Sequence, residues 1–433
     1  MGNNSSNSKT TRIHPPETPI FAAKDYDFRI PALLYVREWS TFLAFAEKRR
    51  TWRDETAKDL VMRTGTRQTD GTLQWSPMKI LKEATKEGYR TMNPCPVFER
   101  KSETLFLFFI CLKCGIQEWA LIPGQSRLCY VTSGDCGETW SDPKDLTNIL
   151  TNKFSNCKTF ALGPGHGIQL SGELSGSLLI PAYVKVYEGI WLRNRSVVIR
   201  NQNPLTPDTW QVGEPLTMKT GECQLAEVCN REGRRQVYMN ARSAGEFRLE
   251  ALSDDGGISF TLLPELTLKE RPNGCQGSVL AFPARELPAG VEEGGQEGSQ
   301  ETAGQGEGGQ EGSQETAGVE EGGQEGSQET AGVEEGGQEG SQETALLFSH
   351  PTAGEGYHRK DLGLYVSKSL QDQPPWGKPS IIHPGTSGYS DLTHCEKEGQ
   401  FACLMECGGG ERLQIVFREF DLHSPSGAMP KAP

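Results

Sequence analysis

The sequence predicts an all-β fold assembled from repeated blades, and three observations carry that expectation. Between residue 29 and about residue 287, short apolar or alternating runs follow one another, for example at 104–111, 177–183, 196–200, 237–241 and 277–282. They are rich in Val, Ile, Phe and Tyr, have strand length, and are divided by clusters of Gly, Pro, Asn and Asp, while sustained helical periods are few. Many short strands in one long chain suit a sandwich, a barrel or a propeller. A recurring turn decides among these. Ser133-Gly134-Asp135-Cys136-Gly137-Glu138-Thr139-Trp140 and Ser253-Asp254-Asp255-Gly256-Gly257-Ile258-Ser259-Phe260 share the form Ser-x-Asp-x-Gly-x-Thr/Ser-aromatic. The Asp side chain bonds nearby amides, the Gly takes a backbone shape other residues avoid, and the aromatic side chain buries itself between strands. Weaker echoes end in Asp208-Thr209-Trp210 and Pro374-Pro375-Trp376. A turn that returns at intervals in an all-β chain marks repeated blades.

Taken in order, residues 1–24 read as a polar tail, 25–425 as the folded body and 426–433 as a second tail. Met1-Gly2-x-x-x-Ser6 fits the N-myristoylation pattern at Gly2, against the plain alternative of a disordered tail that matches by chance. Segment 79–86 is the best candidate for a short helix. Residues 288–345 interrupt the body. Within them Gly-Gly-Gln-Glu-Gly-Ser-Gln-Glu-Thr-Ala starts at 294, 308, 322 and 336, a repeat of fourteen residues. A segment with almost no apolar side chains cannot offset its ordering entropy by burial, so it is expected to be a disordered low-complexity insert leaving from a surface loop.

The insert also distorts the charge. The chain of 433 residues carries −13 overall, but residues 291–345 hold fifteen Glu and no Lys, Arg or Asp; without those fifteen charges the rest carries +2. A nearly neutral body has no basic face to bind nucleic acid. No run of about eighteen apolar residues spans a membrane, and the polar N-terminus lacks the apolar core of a secretory signal. Twelve cysteines without such a signal read as reduced thiols. Cys111-x-x-Cys114 lacks a second ligand pair, so no metal is expected, and no cofactor. Gly163-Pro164-Gly165-His166-Gly167 lacks the Lys-Ser/Thr ending of a phosphate loop, and its histidine reads as loop-stabilising.

Chemistry gathers at residues 28–54. In Phe28-Arg29-Ile30-Pro31 an arginine sits on an extended segment, because the residue before Pro is pushed out of the helical region. Its planar fork of donors suits bidentate capture of a carboxylate. The apolar run 41–46 delivers Glu47 and Arg49, and a loop then delivers Asp54. Two arginines and two acids off strand ends form the floor of a polar pocket suited to an anionic sugar. Arg242 and Arg359 also occupy strand-end positions, although any single exposed arginine is more often a solvated surface group. Taken alone, Glu222 reads as a strand-edge carboxylate, Tyr389 as a core tyrosine and Glu406 as a salt-bridge acid.

Together, Phe28-Arg29-Ile30-Pro31, the two Asp-box turns and the separated arginines resemble the sialidases. So do Arg90-Thr91-Met92-Asn93-Pro94-Cys95-Pro96, Gly163 to Gly167, Glu222 to Val228, Gly274-Cys275-Gln276-Gly277-Ser278 and Gly388 to Leu392. The resemblance covers about residues 25–290 and 346–420 and is to the vertebrate cytosolic and plasma-membrane group, more to the plasma-membrane ganglioside form. It implies a six-bladed β-propeller of four-stranded antiparallel sheets that removes terminal α-linked sialic acid with retention, through a tyrosyl intermediate. Arg29, Arg242 and Arg359 would clamp the sugar carboxylate, with Glu406 holding Arg29. Asp54 would be the acid/base, Tyr389 the nucleophile and Glu222 its proton acceptor; sialidases with a tyrosine nucleophile depart from the usual carboxylate pair. Glu47, Arg49, Met92 and Asn93 would line the pocket, and Glu118 and Tyr183 would lie near the glycerol chain. Lys185 stands where the family carries a second tyrosine. Expected partners are sialylated glycolipids and glycans, with peripheral membrane association. Expected locations are plasma membrane and cytoplasm, with lysosome or endosome as further compartments. The alternative is a silent sialic-acid-binding lectin, which would keep the arginines but has no need of Asp54, Glu222 and Tyr389.

Overall fold

A computed structural model describes residues 17–206, 209–287, 342–355, 358–373, 375–409 and 412–422. Gly2, most of the N-terminal tail, the repeat insert, the C-terminal tail and the Asp208 and Pro374 echoes lie outside the described residues.

The expected apolar runs fall on strands, with Ser177 and Gly277 each one residue ahead of theirs, and every strand pairing among the described residues is antiparallel. The first sheet runs Asp27–Val36, Thr41–Arg49, Ala57–Arg67, Leu73–Trp75, with Lys79–Ile80 added on Ala57–Arg67. The second runs Tyr89–Glu99, Thr104–Lys113, Ser126–Ser133, Lys144–Asp145. In the third, Cys157–Leu162 and Ile168–Gln169 both pair with Leu178–Glu188, followed by Trp191–Asn201 and Gln211–Val212. The fourth comprises Thr220–Cys229, Arg235–Ser243, Leu249–Ser253 and Thr261–Leu262. The last is a seven-stranded sheet from Ser278–Pro283 through Thr344–Glu355, His358–Ser367, Ser380–His394, Gln400–Gly409 and Arg412–Asp421 to Thr18–Phe21.

Each sheet buries apolar side chains against its neighbours. Phe45 and Met62 of the first sheet meet Leu107 and Phe109 of the second. Phe106 and Phe108 meet Ile180 and Ile199 of the third. Leu179 and Val198 meet Leu225 and Met239 of the fourth, and Tyr238 meets Phe348 of the last sheet. The ring closes where Phe28, Phe42 and Val61 pack on Leu404 and Phe417. This is a β-propeller-like arrangement, held mainly by apolar burial between neighbouring sheets.

Four expectations are corrected. Six separate four-stranded blades become four blade-sized sheets, two of them with a fifth strand, plus the seven-stranded sheet. The cause is Ser380–His394, whose first half pairs with His358–Ser367 and whose second half pairs with Gln400–Gly409. The N-terminal tail ends before Thr18, because Thr18–Phe21 completes the edge of that sheet on Arg412–Asp421 and buries Ile20 and Phe21. Likewise the insert gives way to strand at Thr344. Segment 79–86 is not helical: Lys79 and Ile80 pair with the first sheet, and Leu81 and Ala84 are buried against it. A short helix forms instead at Thr147–Lys153.

The two Asp-box turns have the expected wiring. Asp135 accepts from the Thr139 N–H at 2.9 Å, and the Ser133 hydroxyl accepts from the Gly137 N–H at 2.9 Å. Asp255 and Ser253 make the same bonds to Ser259 and Gly257. Trp210 and Trp376, which end the weaker echoes, are buried, and all twelve cysteines are free thiols.

Candidate active site

The site begins with two breaks in strand register. Asp27–Val36 slips between Arg29 and Ala32, and Tyr89–Glu99 slips between Met92 and Cys95. At each break the residue before a proline turns left-handed, Ile30 at φ 59° and Asn93 at φ 54°. The clash with proline excludes the right-handed helical region, and Ile30 avoids it by this route rather than by staying extended. For a β-branched residue that conformation is strained, and it persists only where the surroundings hold it. A buried carboxylate holds each one. Glu406 Oε1 accepts from the Ile30 N–H at 2.9 Å, and Glu47 Oε1 accepts from the Asn93 N–H at 2.7 Å. Such bulges re-aim neighbouring side chains, here those of Arg29 and Met92.

Three clusters then meet around one pocket. In the first, Arg49 bridges Glu47 (Nε–Oε2 2.8 Å) and Asp54 (Nη1–Oδ1 2.5 Å), while Arg29 Nη1 lies 3.7 Å from the same Asp54 oxygen. Burial pushes the Asp54 carboxyl up, but Arg49 and Arg29 outweigh it and hold the group below its ordinary range. In the second, Glu406 accepts from Arg29 Nε at 3.1 Å and from the Tyr389 N–H at 3.1 Å. Gly388 makes that approach possible, since a Cβ there would lie 2.2 Å from Glu406 Oε2.

In the third, the Tyr389 hydroxyl donates to Glu222 Oε1. Arg242 Nη1 donates to Glu222 Oε2 at 2.7 Å and to the Tyr389 oxygen at 3.2 Å. The guanidinium carbons of Arg29 and Arg359 stand 5.3 and 5.6 Å from the centre of the Tyr389 ring. Three arginines thus surround one tyrosine. Burial and the Glu222 charge nevertheless push the Tyr389 phenol well above its ordinary value, against the pull of the arginines. The phenol is therefore neutral, with a proton acceptor already bonded to it.

The pocket spans about 510 Å³ including its open mouth. Arg29, Glu47, Arg49, Asp54, Met92, Asn93, Glu118, Tyr183, Glu222 and Tyr389 line it. Arg242 and Arg359 flank Tyr389 at its edge, and Glu406 lies behind Arg29. At the rim Lys185, which stands where the family carries a second tyrosine, donates to Glu118 at 2.5 Å in an ion pair. Sequence reasoning passed over Arg90 and the apolar wall of Ile110, Leu112, Phe160 and Ala161. Arg90 is buried, spends Nη1 on the Lys113 carbonyl at 2.8 Å, and leaves Nε and Nη2 without a hydrogen-bond partner among the described residues. Its signal was the parallel with Arg29, since each arginine opens a strand shortly before an X-Pro bulge.

The sequence matches the family described as BNR repeat-like domain over residues 40–282. It is 40% identical to Sialidase-3 of Bos taurus, over 93% of this chain and 92% of that protein. It is 32% identical to Sialidase-2 of Cricetulus griseus, over 93% of this chain and 94% of that protein. Among solved structures it resembles the Trypanosoma rangeli sialidase in complex with 2,3-difluorosialic acid (covalent intermediate). That likeness has a TM-score of 0.63 at 17% identity and covers 93% of this chain and 58% of that one.

Proposed function

The chain belongs to the sialidases and is an exo-α-sialidase, and from that premise we propose that it releases sialic acid with retention, through a covalent bond to Tyr389. The observation that carries this reading is the hydrogen-bonded set of Tyr389, Glu222 and Arg242, facing Asp54 across the pocket. Sialic acid bears a carboxylate on its anomeric carbon. A carboxylate nucleophile would meet like-charge repulsion there, and a neutral phenol does not. In the first step the Tyr389 oxygen bonds to the anomeric carbon as its proton passes to Glu222, while the glycosidic bond breaks and Asp54 gives its proton to the leaving oxygen. Water then attacks, Asp54 takes a proton from it, and the tyrosine oxygen leaves with the proton returned from Glu222. Arg29, Arg242 and Arg359 hold the substrate carboxylate throughout and stabilise the transition state from fixed positions. Glu406 fixes Arg29; Glu47, Arg49, Met92 and Asn93 shape the pocket around the ring substituents; Glu118 and Tyr183 face the glycerol chain.

The proposed substrates are gangliosides together with sialylated oligosaccharides and glycoproteins. The connections that rise beside the pocket support a membrane-facing mouth. Trp52 (between Arg49 and Asp54), Ile122 (just past Glu118) and the hairpin residues Ile190 and Trp191 are exposed by 62%, 58%, 88% and 61%. Arg53 and Arg193 sit over the two tryptophan rings, a pairing of aromatic ring and cation suited to a lipid interface. No helix among the described residues is long and apolar enough to cross a membrane, so the proposed contact is peripheral.

The test is turnover of a fluorogenic α-sialoside by wild type and Tyr389→Phe, with 2,3-difluorosialic acid as the trap. Near-silence of the variant and a sugar adduct on the Tyr389 peptide are expected. An adduct on another residue, or a product of inverted configuration, would overturn the assignment. Binding without release by wild type would favour the lectin.

A further inference from the structure

Arg242 and Arg359 come from different sheets, yet both lean on one loop. Arg242 donates through Nη2 to the carbonyl of Asn273, and Arg359 donates through Nη2 to the carbonyl of Gly274 at 2.7 Å. Asn273 and Gly274 both turn left-handed, at φ 66°, and present two successive carbonyls as acceptors. The fit is close: a Cβ on Gly274 would lie 2.5 Å from Arg242 Nε.

The loop is tied in both directions. Toward Arg242 the tie is Glu270, which is 7% exposed. Its carboxylate accepts the N–H groups of Arg271 at 2.9 Å and Cys275 at 3.2 Å, and that of Ser243, the residue after Arg242, at 3.3 Å. Fully buried Arg248 neutralises it at 2.9 Å and also donates to the Cys275 carbonyl at 2.7 Å. His350 Nε2 lies 3.1 Å from its other oxygen. Burial opposes ionisation of Glu270, but Arg248 and His350 outweigh it and hold the carboxyl at about 2. Toward Arg359 the tie is Arg271, which donates to the carbonyls of Thr352 and Gly354, both at 2.8 Å. Gly354 is the backbone partner of Arg359 in its hairpin.

We propose that loop 270–275 is the gauge that sets the spacing of Arg242 and Arg359, with Glu270 and Arg271 as positioning residues for capture of the substrate carboxylate. A buried Arg–Glu pair is weak evidence for stability, because apolar residues of similar volume often serve as well. Its position at the junction of two arginine-bearing elements points to geometry instead. A clamp built across two sheets needs a shared reference, since a displacement of about 1 Å in a positioned group can cost about a hundredfold in rate. The proposal rests on the reading that these arginines bind the carboxylate.

The test compares Arg271→Met and Glu270→Gln with wild type, and uses Arg359→Ala as the control for the clamp. The readouts are KM and kcat for a fluorogenic sialoside, Ki for 2-deoxy-2,3-didehydrosialic acid, and the thermal midpoint. Binding lost equally in ground and transition states falls on KM, so KM and Ki should each rise about tenfold in both gauge variants while kcat changes by less than about threefold. A merely structural role would lower the midpoint and leave Ki alone. Should Glu270→Gln fail to fold, Arg271→Met decides. Arg271→Met with wild-type Ki, beside an Arg359→Ala that binds weakly, would overturn the gauge while sparing the clamp. An Arg359→Ala that binds as wild type would overturn both.

Discussion

Glu406→Gln isolates the charge at the residue that ties Arg29, Ile30 and Tyr389 together. The Glu406 carboxylate, 4% exposed, accepts from Arg29 Nε (3.1 Å), the Ile30 N–H (2.9 Å) and the Tyr389 N–H (3.1 Å). Glutamine keeps the shape but offers one acceptor oxygen. If that oxygen stays with Ile30 and Arg29 Nε, the new amide nitrogen faces the Tyr389 N–H, donor against donor. Losing a charge-assisted bond costs about 1.5–3 kcal/mol, and stranding a buried N–H costs about 1–3 kcal/mol more. Arg29 keeps some contact with solvent, with 16% of its side chain exposed, and recovers part of its hydration. The lower part of the range therefore applies, about 3 kcal/mol, or about a hundredfold in rate. The assay is kcat/KM on a fluorogenic sialoside, with circular dichroism and a thermal melt to separate misfolding from mispositioning. A folded Glu406→Gln protein within about threefold of wild type would refute the reasoning, because the hydrogen bonds to this one buried carboxylate could not then be setting the site.

Asp54→Asn should cost about 10²–10⁴-fold on a sialylated sugar and much less on an aryl sialoside whose leaving group needs no proton; equal losses would remove Asp54 from the acid role. Because Arg49 and Arg29 outweigh burial and depress the Asp54 pKa, the free enzyme holds it ionised at neutral pH. Its kcat/KM on the sugar substrate should therefore fall about tenfold per pH unit above that depressed value, a slope that Asp54→Asn abolishes. The sign for stability is opposite: these ion pairs support the fold above about pH 4 and lose that contribution as pH falls through the folded value. At the mouth, Ile190→Ser combined with Trp191→Ser should weaken sedimentation with ganglioside-containing phosphatidylcholine vesicles severalfold, with turnover of a soluble sialoside near wild type. Undiminished sedimentation would refute the membrane-facing reading.

Features that depend on a few adjacent residues were legible in the chain. The Asp-box turns are local, because Asp135 and Asp255 bond amides within four residues of themselves, and the strands announced themselves through runs of strand length. The candidate site was legible as separate groups, each with an ordinary structural reading of its own. The family resemblance, rather than spacing, joined Arg29 to Glu406 and Tyr389 to Glu222. Other features were closed to local reading. The left-handed turn at Ile30 violates the preference of its own residue type and is held by a carboxylate 376 positions away. Arg90 stood in the chain only as part of a longer motif, and the fold is what buries it on the pocket wall with Asp54. Segment 79–86 has a helical spacing that pairing with Ala57–Arg67 overrode.

The sequence by itself therefore determined the all-β class, its turns and the chemical inventory of the site, because propensity, turn chemistry and burial pattern act over a few residues. Tertiary structure alone decided the count of sheets, since Ser380–His394 divides its hydrogen bonds between two neighbours. It also decided which charges meet. Arg242, Glu222 and Tyr389 lie up to 167 positions apart and share one set of hydrogen bonds because packed sheets bring their strand ends together. Loop 270–275 holds two arginines from different sheets because its carbonyls and its buried carboxylate lie at their junction.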